Sequence, residues 1–147
     1  MFKGIFEFKT VLPITKAEAW SFFNDINNLV RITSFPKVSI ITHEGTQAGS
    51  QTELELNFLL FKKRWILTYL EVEDQQFFVD ESNTVPFPFK NWEHTHSFKE
   101  HENGAMMIDK VIFEAYVPAT IAKIALNQMF KGREKAIKNH FLNLGRD

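Results

Sequence analysis

The sequence predicts an α+β helix-grip domain: a seven-stranded, curved antiparallel sheet around a long C-terminal helix, with two short helices after strand 1. Three observations predict it. Several runs alternate with a two-residue period, most cleanly Thr52, Leu54, Leu56, Phe58 and Leu60 against Glu53, Glu55 and Asn57. The links between runs are too short for parallel crossovers, which need about a dozen residues. From Ala119 to about Leu144, the residues Leu126, Phe130, Ile137, Phe141 and Leu144 recur at helical spacings, as an apolar stripe lying on a sheet does.

The elements follow in order. Residues 2–12 place Phe2, Gly4, Phe6 and Phe8 against Lys3, Glu7 and Lys9, and Pro13 ends this strand. Thr15-Lys16-Ala17-Glu18 is a capping box, with the Thr15 hydroxyl on a backbone N–H and Glu18 reaching back to the N–H of Thr15. The helix it opens carries Ala19, Trp20, Phe22 and Phe23 and breaks at Asn24, Asn27 and Asn28; a second helix spans about Leu29–Thr33, before Pro36. Strands are expected at Lys37–Glu44, Thr52–Leu60, Arg64–Glu73 and Gln76–Ser82, while the prolines of Asn83–Pro88 make that stretch a loop. Two more strands carry Trp92–Phe98 and Met107–Phe113, joined by a turn at His101-Glu102-Asn103-Gly104, a strong hairpin signal. Pro118 precedes the long helix, in which Gly132 costs about 1 kcal/mol relative to alanine and permits a bend or a close approach.

Composition narrows the function classes. The 147 residues fit one domain, spanning 1–147, with enough chain for a core. A net charge of −1 argues against a nucleic-acid surface. The one basic cluster, Lys62-Lys63-Arg64, reads as a solvated hairpin tip. With no cysteine there is no disulfide framework, thiolate nucleophile or zinc–cysteine site. No apolar run is long enough for stable membrane insertion and no signal-peptide pattern opens the chain, so a cytoplasmic setting is expected. Sixteen phenylalanines in a chain this size must pack densely or line an apolar pocket, and the pocket is the expectation.

The chemistry concentrates in Trp92-Glu93-His94-Thr95-His96-Ser97-Phe98. Alternation puts Trp92, His94, His96 and Phe98 on one face, and the aromatic ends mark that face as buried. The hairpin sets Asp109 opposite His96 or one diagonal away. Three roles fit His94, His96 and Asp109: a structural pairing of buried polar groups, orientation of a ligand's polar end, or acid–base catalysis with Asp109 fixing an imidazole tautomer. Their composition also matches an iron-type facial triad, but the strand spacing is not diagnostic, and neither a metal nor a cofactor is expected. Asp80 fits either an inward or a solvent-facing position. Arg133 is expected on the helix surface, with a carboxylate beneath the helix as the alternative. Trp20, Trp65 and Met129 are assigned to core, and His43, His101 and His140 to turns or surface.

Phe78-Val79-Asp80-Glu81, the Pro86-Phe87 loop, Trp92–Phe98, Met107-Ile108-Asp109-Lys110-Val111 and Met129-Phe130-Lys131-Gly132-Arg133 carry a resemblance. In them the chain resembles the START/Bet v1-like (SRPBCC) superfamily, and within it the bacterial branch near the polyketide cyclase/dehydrase and CoxG-like proteins. The resemblance implies the helix-grip fold and an apolar cavity for a small hydrophobic ligand, a lipid or a polyketide-like aromatic. The candidate ligand contacts are Trp92, His94, His96, Phe98, Asp109, Val111, Phe113, Met129, Phe130 and Asp80. The rival function is a cyclase, dehydratase or hydrolase using His94 or His96 with Asp109. A third is an interaction module docking through the Phe58-Leu59-Leu60-Phe61 tip, which needs that tip exposed. The sequence leaves the oligomeric state open.

Overall fold

The structure is a computed structural model and describes residues 1–33 and 35–144, the side chain of Leu144 excepted. The stripe position assigned to Leu144 therefore lies outside what is described. The elements run β1 (Phe2–Leu12), α1 (Lys16–Phe23), α2 (Ile26–Ile32), β2 (Lys37–His43), β3 (Gln51–Asn57), β4 (Lys62–Glu73), β5 (Phe77–Ser82), β6 (Phe89–His101), β7 (Gly104–Ala115) and α3 (Ala119–Leu144). The seven strands form one sheet in the order β1-β7-β6-β5-β4-β3-β2, with antiparallel pairs throughout. This is the expected helix-grip architecture.

Local chemistry sets the ends of the elements. The Thr15 hydroxyl accepts from the Glu18 N–H at 3.1 Å and lies 3.0 Å from the Glu18 carboxylate, to which it donates. Glu18 thus meets the capping hydroxyl, not the backbone N–H expected for it. The second helix starts earlier than the asparagines suggested, because Asp25 caps it by accepting from the Asn27 N–H at 2.9 Å. Asn27 and Asn28 lie inside it. Gly104 has φ +136°, and a Cβ there would collide with the Leu12 carbonyl, so the β6–β7 turn requires glycine.

The inner face of the sheet packs in two lobes under α1 and α3. Leu12, Trp20, Phe78, Phe98, Met107 and Ile137 fill one, and Trp92, Val111, Phe113, Leu126 and Phe130 fill the other. Trp20 is core, as expected. A third, smaller cluster under α2 joins Ile26, Val38, Leu54, Leu56 and Leu67. Between these clusters the inner wall stands away from α3 and leaves a hollow. A Cβ built on Gly132 meets nothing within 4 Å, so this glycine serves no close approach; it lies on the rim of the hollow.

Candidate functional site

Strand register brings the polar side chains together. Asp80 pairs with His94 across β5–β6, and His96 pairs with Asp109 across β6–β7. Each imidazole nevertheless bonds the carboxylate one row along. His94 Nε2 lies 2.8 Å from Asp109 Oδ1, and His96 Nε2 lies 2.8 Å from Asp80 Oδ2. The rings are also stacked: His94 and His96 lie 3.6 Å apart at 28°, and His96 stacks on Phe78 at 4.0 Å.

A fifth group comes from the helix. Arg133 Nη1 lies 3.9 Å from Asp109 Oδ1, with the guanidinium over the rings of Phe23 at 5.3 Å and Phe130 at 5.7 Å. Arg133 is not the surface residue expected; its side chain is 15% exposed and reaches the carboxylate under the helix. The signal was present: Leu126, Phe130, Arg133 and Ile137 are spaced by four, three and four residues, which puts Arg133 on the buried stripe.

Burial and charge divide the two histidines. Burial lowers the pKa of His94, and neighbouring His96 lowers it further, against the pull of Asp109. Burial acts on His96 in the same sense, but the carboxylates of Asp109 and Asp80 outweigh it and raise that pKa. Burial would push Asp109 up, yet Arg133, His94 and His96 together hold it well below the usual carboxylate range. These shifts favour the neutral form of His94, donating Nε2–H to Asp109, and the protonated form of His96. His96 Nδ1 sits 3.3 Å from Asp109 Oδ1, off the hydrogen-bond direction but well placed for charge attraction. A neutral His96 donating to Asp80 would turn a lone pair toward that oxygen instead. Burial and Asp80 also push the Tyr69 hydroxyl above its ordinary value.

The hollow beside this cluster has a volume of about 460 Å³. Of the predicted contacts, Trp92, His94, His96, Asp80 and Met129 line it. Asp109 sits behind the histidines. Phe98, Val111, Phe113 and Phe130 are at most 2% exposed and pack in the two lobes away from the wall. Alternation gave their face correctly, but not which part of that face is hollow. Met129, assigned to core, is 46% exposed at the mouth, and Trp65 is a half-buried wall residue. The sequence reading missed Tyr69, Leu67 and Leu56 on the wall and Phe35 and Phe87 at the mouth. Tyr69, Leu67 and Trp65 share a two-residue period in β4, which was the available signal.

Asp80, His94 and His96 each place a ligand atom within 4.8 Å of the others, a donor set suited to a divalent ion. Their present geometry opposes one. His96 Nε2 is already bonded to Asp80, and stacked rings cannot aim in-plane lone pairs at a common point about 2.1 Å away without one ring turning.

No family model and no curated sequence matches the chain. Solved structures do. Ara h 8.0201 aligns at TM-score 0.74 and 12% identity, over 96% of this chain and 99% of that one. Protein CV1439 from Chromobacterium violaceum aligns at 0.73 and 13%, over 91% and 96%. Protein Ms6760 from Mycobacterium smegmatis aligns at 0.72 and 11%, over 94% and 90%. At such identities the likeness is one of fold, and with the element order, topology and register above it identifies the fold of this chain as the Bet v1-like (SRPBCC) helix grip.

Proposed function

We propose that this chain binds one small, largely apolar molecule in the hollow, a lipid or a polyketide-like aromatic, and holds its oxygen-bearing end at the polar floor. The carrying observation is a cluster of buried His94, His96 and Asp80 with half-buried Arg133, opening into an apolar space of about 460 Å³. Burying about 300 Å² of apolar ligand surface would favour binding by roughly 7 kcal/mol before entropic losses. Orientation comes from donors. The indole N–H of Trp65 and of Trp92 and the Nε–H of Arg133 are buried without a hydrogen-bond partner among the described residues. Buried donors are normally satisfied, so oxygen acceptors on the ligand are their natural partners. Carriage of the ligand from one place to another is an extension of the same reading.

Titration with a long-chain fatty acid and with a hydroxylated naphthalene tests it, read by quenching of tryptophan fluorescence. Trp65 and Trp92 stand in the wall. Saturable one-to-one quenching with a Kd on the order of micromolar by at least one probe is the expected result. Absence of saturable quenching by both would contradict the reading.

One observation favours a catalytic second reading. His94 is neutral, lines the hollow, and has Nε2 held by Asp109, which leaves Nδ1 as the basic atom toward a bound molecule. A cyclase, dehydratase or hydrolase working this way would lose about 10²–10⁴ in turnover on His94→Gln while still binding its substrate. Under binding alone, the same change shifts affinity only modestly.

A further inference from the structure

The rim of the hollow carries apolar side chains that the binding reading does not use. In the β3–β4 connection Leu59, Leu60 and Phe61 are 84%, 96% and 60% exposed. Phe58 continues from them into the wall, Phe61 stacks on it at 4.8 Å, and Phe35 meets it edge-on at 5.9 Å. Phe35 and Phe87, on two other connections, are 61% and 76% exposed at the same mouth.

The tip is built to hold its leucines outward. Leu59 has φ +75°, a conformation that glycine adopts far more readily, and its N–H is held by the Asn57 side chain at 2.9 Å. The turn closes with the Phe58 N–H donating to the Phe61 carbonyl at 2.9 Å. A solvent-exposed turn gains nothing from leucine at such a position.

Basic residues stand one step behind. Strand register sets Lys37, Asn57 and Lys62 side by side across β2, β3 and β4, with Lys63 next in line. Lys62 lies 3.5 Å from Glu55 and Arg64 lies 3.1 Å from Glu53, whereas Lys37 and Lys63 make no ion pair among the described residues. Lys37, Lys62, Lys63 and Arg64 against Glu53 and Glu55 leave this belt net positive.

We infer that this end of the molecule docks on an anionic lipid surface, with Leu59 and Leu60 in the acyl boundary and the lysines at headgroup level. Three separate loop tips with gaps between them suit a soft phase better than a flat protein face. The docked surface would also bring the mouth of the hollow against the lipid, where an apolar ligand can pass without crossing water. No described helix is long and apolar enough to span a membrane, so the contact is peripheral.

Co-sedimentation of the full chain with phosphatidylcholine vesicles, with and without phosphatidylglycerol, tests the inference. The wild-type chain is expected to sediment with the phosphatidylglycerol vesicles, less in high salt and less with phosphatidylcholine alone. The Leu59→Ser/Leu60→Ser double variant should lose at least about 10-fold in partitioning while still binding small probes, since neither leucine lines the hollow. Leu59→Gly separates binding from folding: it relieves the positive φ, so thermal stability should hold or rise while partitioning falls. Ala125→Trp, which fills the hollow, should leave partitioning intact, so loss of ligand binding and loss of docking remain distinct. Wild-type protein that ignores both vesicle types, tip variants that partition like wild type, or a dimer that the tip variants dissociate would each overturn it.

Discussion

Asp109→Asn is expected to destabilise the fold by about 3–5 kcal/mol, because it removes a buried carboxylate that faces both His96 and the Arg133 guanidinium. Asp109 is 2% exposed, bonds His94 at 2.8 Å, and stands 3.3 Å from His96 and 3.9 Å from Arg133. Asparagine matches its shape, so no cavity term enters, and the measured loss is that of Arg133 left without its carboxylate and of His96 left with Asp80 alone. Urea unfolding at neutral pH reads it directly.

The pH profile gives the same cluster a signature that packing alone would not produce. His96 has a pKa raised from 6.5, so its contribution is complete below that value and is lost as pH rises through the raised one. His94 has a lowered pKa, so the benefit of its neutral form is present above 6.5 and is lost as pH falls through the lowered value. Asp109, also lowered, contributes above its ordinary 3.8 and loses that contribution progressively below it. Wild-type stability should therefore decline on both sides of neutrality. In Asp109→Asn the alkaline decline should shrink, since part of what raises His96 is gone. A loss under about 1 kcal/mol with an unchanged pH profile would show that these groups are not coupled as described.

The second large effect is on binding. Ala125 lies on the stripe of α3 that faces the hollow, with Leu126, Met129, Gly132 and Arg133. An indole at Ala125 would occupy the space proposed for the ligand, and Ala125→Trp should weaken uptake of small apolar probes at least about 100-fold, the equivalent of some 3 kcal/mol. The fold should tolerate it, because Ala125 is only half buried and tryptophan costs a helix well under about 1 kcal/mol. Fluorescence titration beside a melting curve separates the two effects. Unchanged affinity in a folded variant would move the binding site elsewhere.

Much of this architecture is legible in the chain. The Thr52–Leu56 alternation and the Trp92–Phe98 run define inner faces, and Asn103-Gly104 fixes a hairpin whose register sets Asp109 opposite His96. Asp80 stayed ambiguous for a physical reason: Phe78, Val79 and Asp80 are all buried, so β5 has no polar face to mark orientation. The exposed tip was hidden in the opposite way. Phe58-Leu59-Leu60-Phe61 continues an apolar run, and only the turn geometry after Asn57 shows that the pattern has left the sheet. The position of the hollow was beyond sequence reading because it depends on how far α2 and α3 stand from the wall. That distance is set by packing among Ile26, Val38, Leu126 and their neighbours, residues far apart in the chain. Hence Phe98, Val111, Phe113 and Phe130 share a face with the site and still lie outside it.

Native mass spectrometry of the chain purified from its own host, run beside the Ala125→Trp variant, tests the central claim most directly. The account predicts that wild-type protein carries one small apolar molecule per chain, seen as a single discrete mass increment, and that the variant flies bare. Bare polypeptide in both samples, or the same increment in both, would contradict it.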